Sequence, residues 1–441
     1  MGKTREFDVL VIGGGVVGSA LCHFLERYTN ISSIGLIEKG KELGEVNSSP
    51  DSNSQTVHFG DIETNYGLEK AKHVKNAGDM IVSYLDRYDS DSSLHRKTYK
   101  LLLGVGDNEV ALLEKRYEDF KATYPKLRKL YRDDIAKLEP NIVKDRDPNE
   151  NIVALYSDDG YAVDYKKLAD SFVGNFLNSN KRTELFFETK VSKIYKKDSL
   201  TIAETNNGSF SAKVVVVTSG PYSLYFAHKM DIGKDLAILP VAGSFYKSKN
   251  LLNGKVYTVQ IDGIPFAAIH GDPNVNDPTE TRFGPTAKML PLFERHRYNT
   301  FFDFITSAIV SIKGIFACLK IILQMHFFWF AIENVLYDFP IIGKLLFMKN
   351  IKKIVPSARL KDISYGKNLG GVRPQVVDLN TGKIFLGEIK LFGDKIIFNV
   401  TPSPGATNCL KNASGDVVKV VEMLGEGFTF NKELFDKEFK S

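Results

Sequence analysis

Phe7-Asp8-Val9-Leu10-Val11-Ile12-Gly13-Gly14-Gly15-Val16-Val17-Gly18 is the stretch on which the reading of this chain turns. The apolar run up to Ile12 has the length and composition of a strand. It breaks into Gly13, Gly15 and Gly18, which are spaced as a dinucleotide fingerprint, G-x-G-x-x-G. Ala20, Leu21, Phe24 and Leu25 then recur at helical intervals, and Ile34 to Ile37 restores a strand. Glu38 closes that strand twenty residues after Gly18. Each part has a physical task. Gly13 permits the tight turn, Gly15 lets backbone approach a pyrophosphate, and Gly18 lets helix lie close on strand. The helix N-terminus offers free N–H groups and the positive end of its dipole to phosphate, and Glu38 is placed to accept hydrogen bonds from ribose hydroxyls. Glycines alone are a weak signal; strand before, helix after and acid at this distance make it a dinucleotide site. The motif by itself does not choose between a flavin and a nicotinamide.

Working outward, the 441 residues suffice for two domains, and 43% hydrophobic with 25% charged is ordinary globular composition. A net charge of +5 is too small to argue for nucleic acid. Its distribution is more informative. Pro285 to Lys361 holds eleven Lys or Arg against four Asp or Glu, an excess of seven, which leaves the remainder slightly acidic. Cys22, Cys318 and Cys409 are scattered, without metal or redox spacing, and fit buried thiols in a reducing compartment. No metal site is expected. The N-terminal Met1 to Arg5 is basic and precedes apolar residues, but Glu6 and Asp8 interrupt it, so the stretch reads as a strand and not as a targeting signal.

Downstream, Gly40 to Tyr66 is polar, with Asn53-Ser54-Gln55-Thr56-Val57-His58-Phe59-Gly60 at its centre. It reads either as a solvated loop or as a loop laid over a cofactor, with His58 near the reactive face. Leu68 to Tyr88 and Glu109 to Tyr124 are helical in pattern, and Tyr99 to Gly104 and Val153 to Tyr156 are strand-like. Lys144 to Asn151 is a charged connection, read as a crossing point between domains, and Leu168 to Phe176 is helical. Leu185 to Phe187 and Val191 to Tyr195 are expected to form a hairpin ending at Asn206-Asn207-Gly208. Val214 to Val217 reads as a strand buried on both faces, ending in Ser219-Gly220-Pro221 at the edge where α/β sheets hold ligands.

Strands are expected at Leu236 to Tyr246 and Phe266 to Gly271. His270 at the end of the latter is either a structural hydrogen-bonding group or a base. Arg282-Phe283-Gly284-Pro285-Thr286 follows, and a cation so close to His270 suits a small anion. Phe301 to Phe347 is apolar at helical spacing, but Asp303, Lys313, Lys320 and Glu333 interrupt every span long enough to cross a bilayer. It is either a helical pair capping the second domain or a peripheral membrane helix anchored by Lys and Trp. Arg373, among small residues in Gly370 to Gln375, could offer its fork to a carboxylate. Phe385 to Gly387 and Lys395 to Val400 read as a closing hairpin. Thr401 to Asn408 then opens a final helix.

Four blocks together resemble the malate:quinone oxidoreductases, within the D-amino-acid-oxidase-like flavoproteins. They are Gly13 to Gly18 with Glu38; Asn53 to His58 continuing to Gly60-Asp61-Ile62-Glu63-Thr64-Asn65-Tyr66; Arg282 to Thr286; and Gly371 to Gln375 with Pro402 to Thr407. They span nearly the whole chain in the family's order, and the second and last are the specific ones. Val57 and Phe59 stand where the family pattern leads one to expect Ile and a small or polar residue.

The resemblance implies an α/β fold with an α+β second domain. A Rossmann-like FAD domain would comprise 1–95, 151–235 and 365–441; an antiparallel sheet with helices, 96–150 and 236–364, would form the substrate domain, with 301–347 as a possible docking element for a membrane surface. It implies non-covalent FAD held by Gly13, Gly15, Val16, Gly18, Glu38, Lys39, Asn53, Ser54, Gln55, Thr56, Val191, Gly220, Pro404, Gly405, Ala406 and Thr407. The expected reaction is oxidation of L-malate to oxaloacetate, with hydride passing from C2 to the flavin and electrons onward to a membrane quinone. His270 is the preferred base and His58 the alternative. Arg373 should hold the C1 carboxylate and Arg282 is a candidate for the other, since a dianion requires two cationic contacts. An L-2-hydroxyglutarate dehydrogenase, an amino-acid oxidase and a non-catalytic flavin-binding, membrane-docking protein are the alternatives. Single use of the fingerprint argues against reduction by NAD(P)H. The expected location is the cytoplasmic face of a bacterial inner membrane, with a mitochondrial inner membrane as the other possibility.

Overall fold

A computed structural model of the chain describes residues 4–260, 268–308, 325–339, 341–385 and 387–439. The decisive stretch forms β1 (Arg5–Ile12), α1 (Val16–Tyr28) and β2 (Ser33–Ile37). β1 is buried from Phe7 to Ile12 and pairs in parallel with β2 on one side and with the strand Gly208–Val217 on the other. The four valines at the end of that strand are fully buried, as a central strand covered on both faces requires. Arg182–Phe186 adds in parallel outside β2, and the antiparallel pair Ile389–Gly393 and Ile396–Val400 closes the opposite edge. α1, the helix Tyr165–Leu177 and the final long helix Cys409–Leu424 pack together over one face.

A second eight-stranded sheet, among the described residues, runs from Ser364–Tyr365 through Tyr246–Lys249, Glu280–Gly284, His270–Pro273, Lys255–Thr258, His95–Val105 and Ile152–Val163 to Arg128–Tyr131. A smaller sheet pairs Leu236–Ala242 with Val372–Asp378 and carries Lys288–Met289 and Lys383–Ile384 at its edges. The architecture is thus a mixed α/β protein in which the chain passes repeatedly between the parallel sheet and the second sheet.

Several elements differ from the sequence reading. Ile152–Val163 is a long partner of His95–Val105. The change of sheet therefore falls after Val163, not at residue 151. Arg182–Phe186 joins β2 instead of folding back on Val191, and the hairpin is Val191–Lys197 with Leu200–Thr205. The run from Leu236 to Tyr246 splits into two strands in different sheets, divided by Gly243. A Cβ at Gly243 would stand 2.7 Å from the Pro285 ring. The closing hairpin uses Ile389–Gly393, not Phe385 to Gly387. By contrast Leu68–Tyr88 (α2) is a helix over the span its periodicity defines.

Within 301–347 the described helices are Thr300–Ala308, Met325–Leu336 and Ile342–Ile354; the intervening 309–324, with Cys318 and Phe316, lies outside the described residues, as does Phe266. Ile342–Ile354 serves two roles at once. Phe347, Met348, Ile351 and Ile354 pack into the second sheet's core against Tyr246, while Ile342, Leu345 and Leu346 face outward.

Candidate active site

Two adjoining cavities occupy the junction between the sheets. The larger, about 440 Å³, starts at the carboxyl ends of β1 and β2, where Gly13, Gly15, Val16, Glu38 and Lys39 line it. It runs past Val191 and Gly220 and along Asn53, Ser54, Gln55 and Thr56 to Pro404, Gly405, Ala406 and Thr407. Its turn is built as the fingerprint demands. Gly13 has a φ of +112°, and a Cβ there would sit 2.8 Å from the Thr218 carbonyl oxygen. A Cβ at Gly18, which lies beneath the cavity wall, would stand 2.0 Å from the Gly13 oxygen, so only glycine lets helix and turn approach. Gly15 caps α1, and no acidic residue sits in the first turn, which leaves the positive helix end open to an anion. Glu38 accepts hydrogen bonds from Gly14 N and Gly40 N at 2.7 Å each. Its carboxylate thereby braces the glycine turn while lining the cleft. A long cleft with a phosphate cradle at its centre, an acid at one end and a small-residue loop at the other fits a dinucleotide.

The polar loop is tied down from three sides. Asn53 Nδ2 donates to the carbonyls of Asn47 and Ser49, and its Oδ1 accepts from Gln55 N. Gln55 has a positive φ of 57°; its side chain donates to Pro50 O and Asn274 Oδ1 and accepts from Val275 N. Thr56 Oγ1 accepts from Lys255 Nζ at 3.0 Å and Tyr257 OH at 2.9 Å, and Thr407 Oγ1 accepts from His58 N at 3.1 Å. Ser48, absent from the expected set, takes the hydrogen bond from Val16 N at 3.0 Å.

The smaller cavity, about 100 Å³, shares Ser54, His58, Pro285, Arg373 and Ser403 with the larger one. His270, Lys70, Tyr257 and Gln375 line only the smaller. Each histidine has a carboxylate beside its Nδ1, hydrogen-bonded in the case of His58. His58 Nδ1 lies 2.6 Å from Glu63 Oε1, and His270 Nδ1 lies 2.6 Å from Asp272 Oδ2, so each keeps Nε2 for other work. Burial alone would raise the Asp272 carboxyl, but His270, Lys255 and Arg282 outweigh it and hold its pKa down to about 2. For Glu63 burial is likewise outweighed, by His58 and Lys100, and the pKa is again about 2. Burial depresses His270 below its ordinary value, with Asp272 opposing.

Arg373 stands where the cavities meet. Burial lowers its pKa to about 10, and among the described residues no hydrogen bond or ion pair engages its guanidinium. Arg282 lies elsewhere. It is fully buried, donates to Pro50 O at 2.9 Å, stacks near Phe245, and faces Asp272 across paired strands. It lines neither cavity, so its place is behind the polar loop and not against a small anion. Glu63, Asp272 and Lys70 were given no role from sequence. Asp272 had a legible signal, because i and i+2 on a strand share a face; Lys70 had none.

The sequence profile of the malate:quinone oxidoreductase family matches residues 5–424. The chain is 44% identical to a probable malate:quinone oxidoreductase of Campylobacter jejuni, over 98% of this chain and 99% of the relative. It is 38% identical to a malate:quinone oxidoreductase of Helicobacter pylori, over 99% and 100%. Human mitochondrial L-2-hydroxyglutarate dehydrogenase is 25% identical, over 92% of this chain and 87% of the relative. In fold the chain is similar to the L-alpha-glycerophosphate oxidase of Mycoplasma pneumoniae with FAD bound. That match has a TM-score of 0.66 and 19% identity, and covers 97% of each chain.

Proposed function

The chain belongs to the malate:quinone oxidoreductase family, and from that premise we propose how its own residues carry the reaction. The activity is oxidation of malate to oxaloacetate with a quinone as acceptor, and FAD is the cofactor. Malate gives up two electrons and two protons, and the quinone leaves as quinol. FAD, when bound, supplies the acceptor for the electron pair and the hydrogen of malate C2. The residues to hold it are those lining the larger cleft, with α1 offering its N-terminus to the pyrophosphate and Gly18 permitting that approach.

The observation that supports the smaller cavity as the malate site is Arg373, a half-buried guanidinium with no protein anion among the described residues. Such a cation is costly unless a ligand neutralises it. A carboxylate matches its fork bidentately, and its position at the shared wall suits the carboxylate next to the reacting carbon. His270 takes the hydroxyl proton at Nε2. Asp272 holds Nδ1–H, fixes the tautomer and favours the imidazolium as it forms. Burial lowers the His270 pKa, so it stands neutral and able to accept a proton at neutral pH.

The protein sits on the cytoplasmic face of a bacterial inner membrane, seated by the helices within 301–347. Support comes from their exposed apolar side chains, with Phe302 at 71%, Trp329 at 63% and Ile341 at 77%, and from the basic excess of the sequence between Pro285 and Lys361. No described helix is long and apolar enough to cross a membrane. An apolar face flanked by basic residues is what an interfacial helix on anionic lipid requires, and the quinone is met there. The test is turnover of the FAD-loaded enzyme with a soluble quinone analogue. L-malate should be oxidised at least a hundredfold more efficiently than L-2-hydroxyglutarate, and R373M should lower turnover of both, since both carry the carboxylate next to the reacting carbon. Equal use of both acids would overturn the assignment.

A further inference from the structure

We propose that Lys70 binds the C4 carboxylate of malate, the one remote from the oxidised carbon, and so sets the preference for a four-carbon dicarboxylate. The inference rests on the smaller cavity being the malate site. Malate is a dianion, and a cavity that buries it needs a second cation besides Arg373. Among the described residues that line this cavity, Lys70 meets the need. Lys255 and Lys100 are fully buried on neighbouring strands, and each is committed to a carboxylate, Asp272 and Asp61 respectively. Arg282 is turned to backbone behind the polar loop. Lys70 has neither an ion pair nor a hydrogen bond among the described residues. Its Nζ rests 4.4 Å from the centroid of the Tyr66 ring. The neighbouring Glu69 is paired outward with Lys72. Half-burial pulls the Lys70 pKa down, as expected of an ammonium lacking an anion.

Placement decides which end of malate it takes. Arg373 lines both cavities and therefore stands at the cofactor side, whereas Lys70 lines only the smaller one, with Thr64, Asn65 and Tyr66. A ligand with its C1 carboxylate on Arg373 presents its far end to the Lys70 wall. Lys70 also sits in the first turn of α2, whose dipole adds positive potential at that wall. A methyl in place of the C4 carboxylate would leave this ammonium unpaired.

The test uses the FAD-loaded enzyme with L-malate and L-2-hydroxybutyrate, in which a methyl replaces the C4 carboxylate, and with succinate and butyrate as inhibitors. For Lys70→Met, KM for L-malate should rise about 30-fold, or about 2 kcal/mol at 1.4 kcal/mol per tenfold. Its kcat should change much less, because a remote contact is made equally in ground and transition states. KM for 2-hydroxybutyrate should stay within threefold, and Lys70→Arg should restore most of the malate affinity. In the unaltered enzyme succinate should inhibit at least tenfold more strongly than butyrate, and Lys70→Met should erase the difference. A malate KM within threefold of the unaltered enzyme in Lys70→Met, or equal inhibition by both acids in the unaltered enzyme, overturns the assignment of Lys70. The site reading fails differently: Arg373→Met would then leave turnover of both hydroxy acids intact.

Discussion

At the residue scale the site depends on which charges are already paired and which await a ligand. Arg282 was the second sequence candidate for an anion, after Arg373, yet its partners are Pro50 O, Asn53 O and the Asp272 charge across the strand pair. Arg373 lacks such partners among the described residues. Arg373→Met is therefore expected to lower kcat/KM for malate about 10²-fold, the loss of a charged hydrogen-bonded contact in a desolvated place, with the bound FAD content unchanged by its absorbance. The pH profile follows from the same groups. A base must be neutral to accept a proton, and burial lowers the His270 pKa below its ordinary value. Thus kcat/KM should climb with pH through an acid limb lying below the usual imidazole range and be flat at neutral pH. His270→Asn should remove the acid limb and cost about 10²–10⁴-fold in kcat. If His58→Asn does this instead, the roles of the two dyads are exchanged.

At the scale of elements, periodicity reported what it physically can. α2 was legible over Leu68–Tyr88 because a single helix burying Ala71, Val74, Ala77, Ile81 and Leu85 repeats the 3.6-residue pattern without interruption. Arg182–Phe186 was misread because strand pairing is a choice among distant partners, and nothing local distinguishes a hairpin from a parallel neighbour of β2. The glycine turn is local, and its consequence is sharp. Gly18→Ala would push a methyl to within 2.0 Å of the Gly13 oxygen and 2.5 Å of Thr218 Oγ1, so the purified variant should have lost its FAD and melt several degrees lower. The helices Thr300–Ala308 and Met325–Leu336 invite a different experiment. Phe302→Ser with Trp329→Ser should reduce sedimentation with anionic vesicles severalfold, while turnover with a soluble quinone analogue persists. Unchanged vesicle binding would remove these two side chains from the docking surface.

For the molecule as a whole, the order of blocks along the chain was readable, because each is a short run with its own chemistry. What joins them was not. Ser54, His58, Pro285, Arg373 and Ser403 form the wall shared by two cavities, and their adjacency arises only when the parallel sheet, the second sheet and the final loop come together. Lys70 is the clearest case, an ordinary helix-start lysine in sequence that the fold turns toward the smaller cavity. FAD seated in the larger cleft would span this junction from the glycine turn to the Pro404 to Thr407 loop. Its removal should therefore lower Tm in a concentration-dependent way, about 2.7 kcal/mol of stabilisation being returned at a hundredfold excess over Kd. The most direct test of the central claim is an anaerobic titration of the purified, FAD-loaded protein followed at the visible flavin band. L-malate should bleach the band in full, while D-malate and L-2-hydroxyglutarate leave it oxidised at equal concentration. A band that survives L-malate, or that another acid bleaches equally well, would contradict the assignment of this cavity to malate.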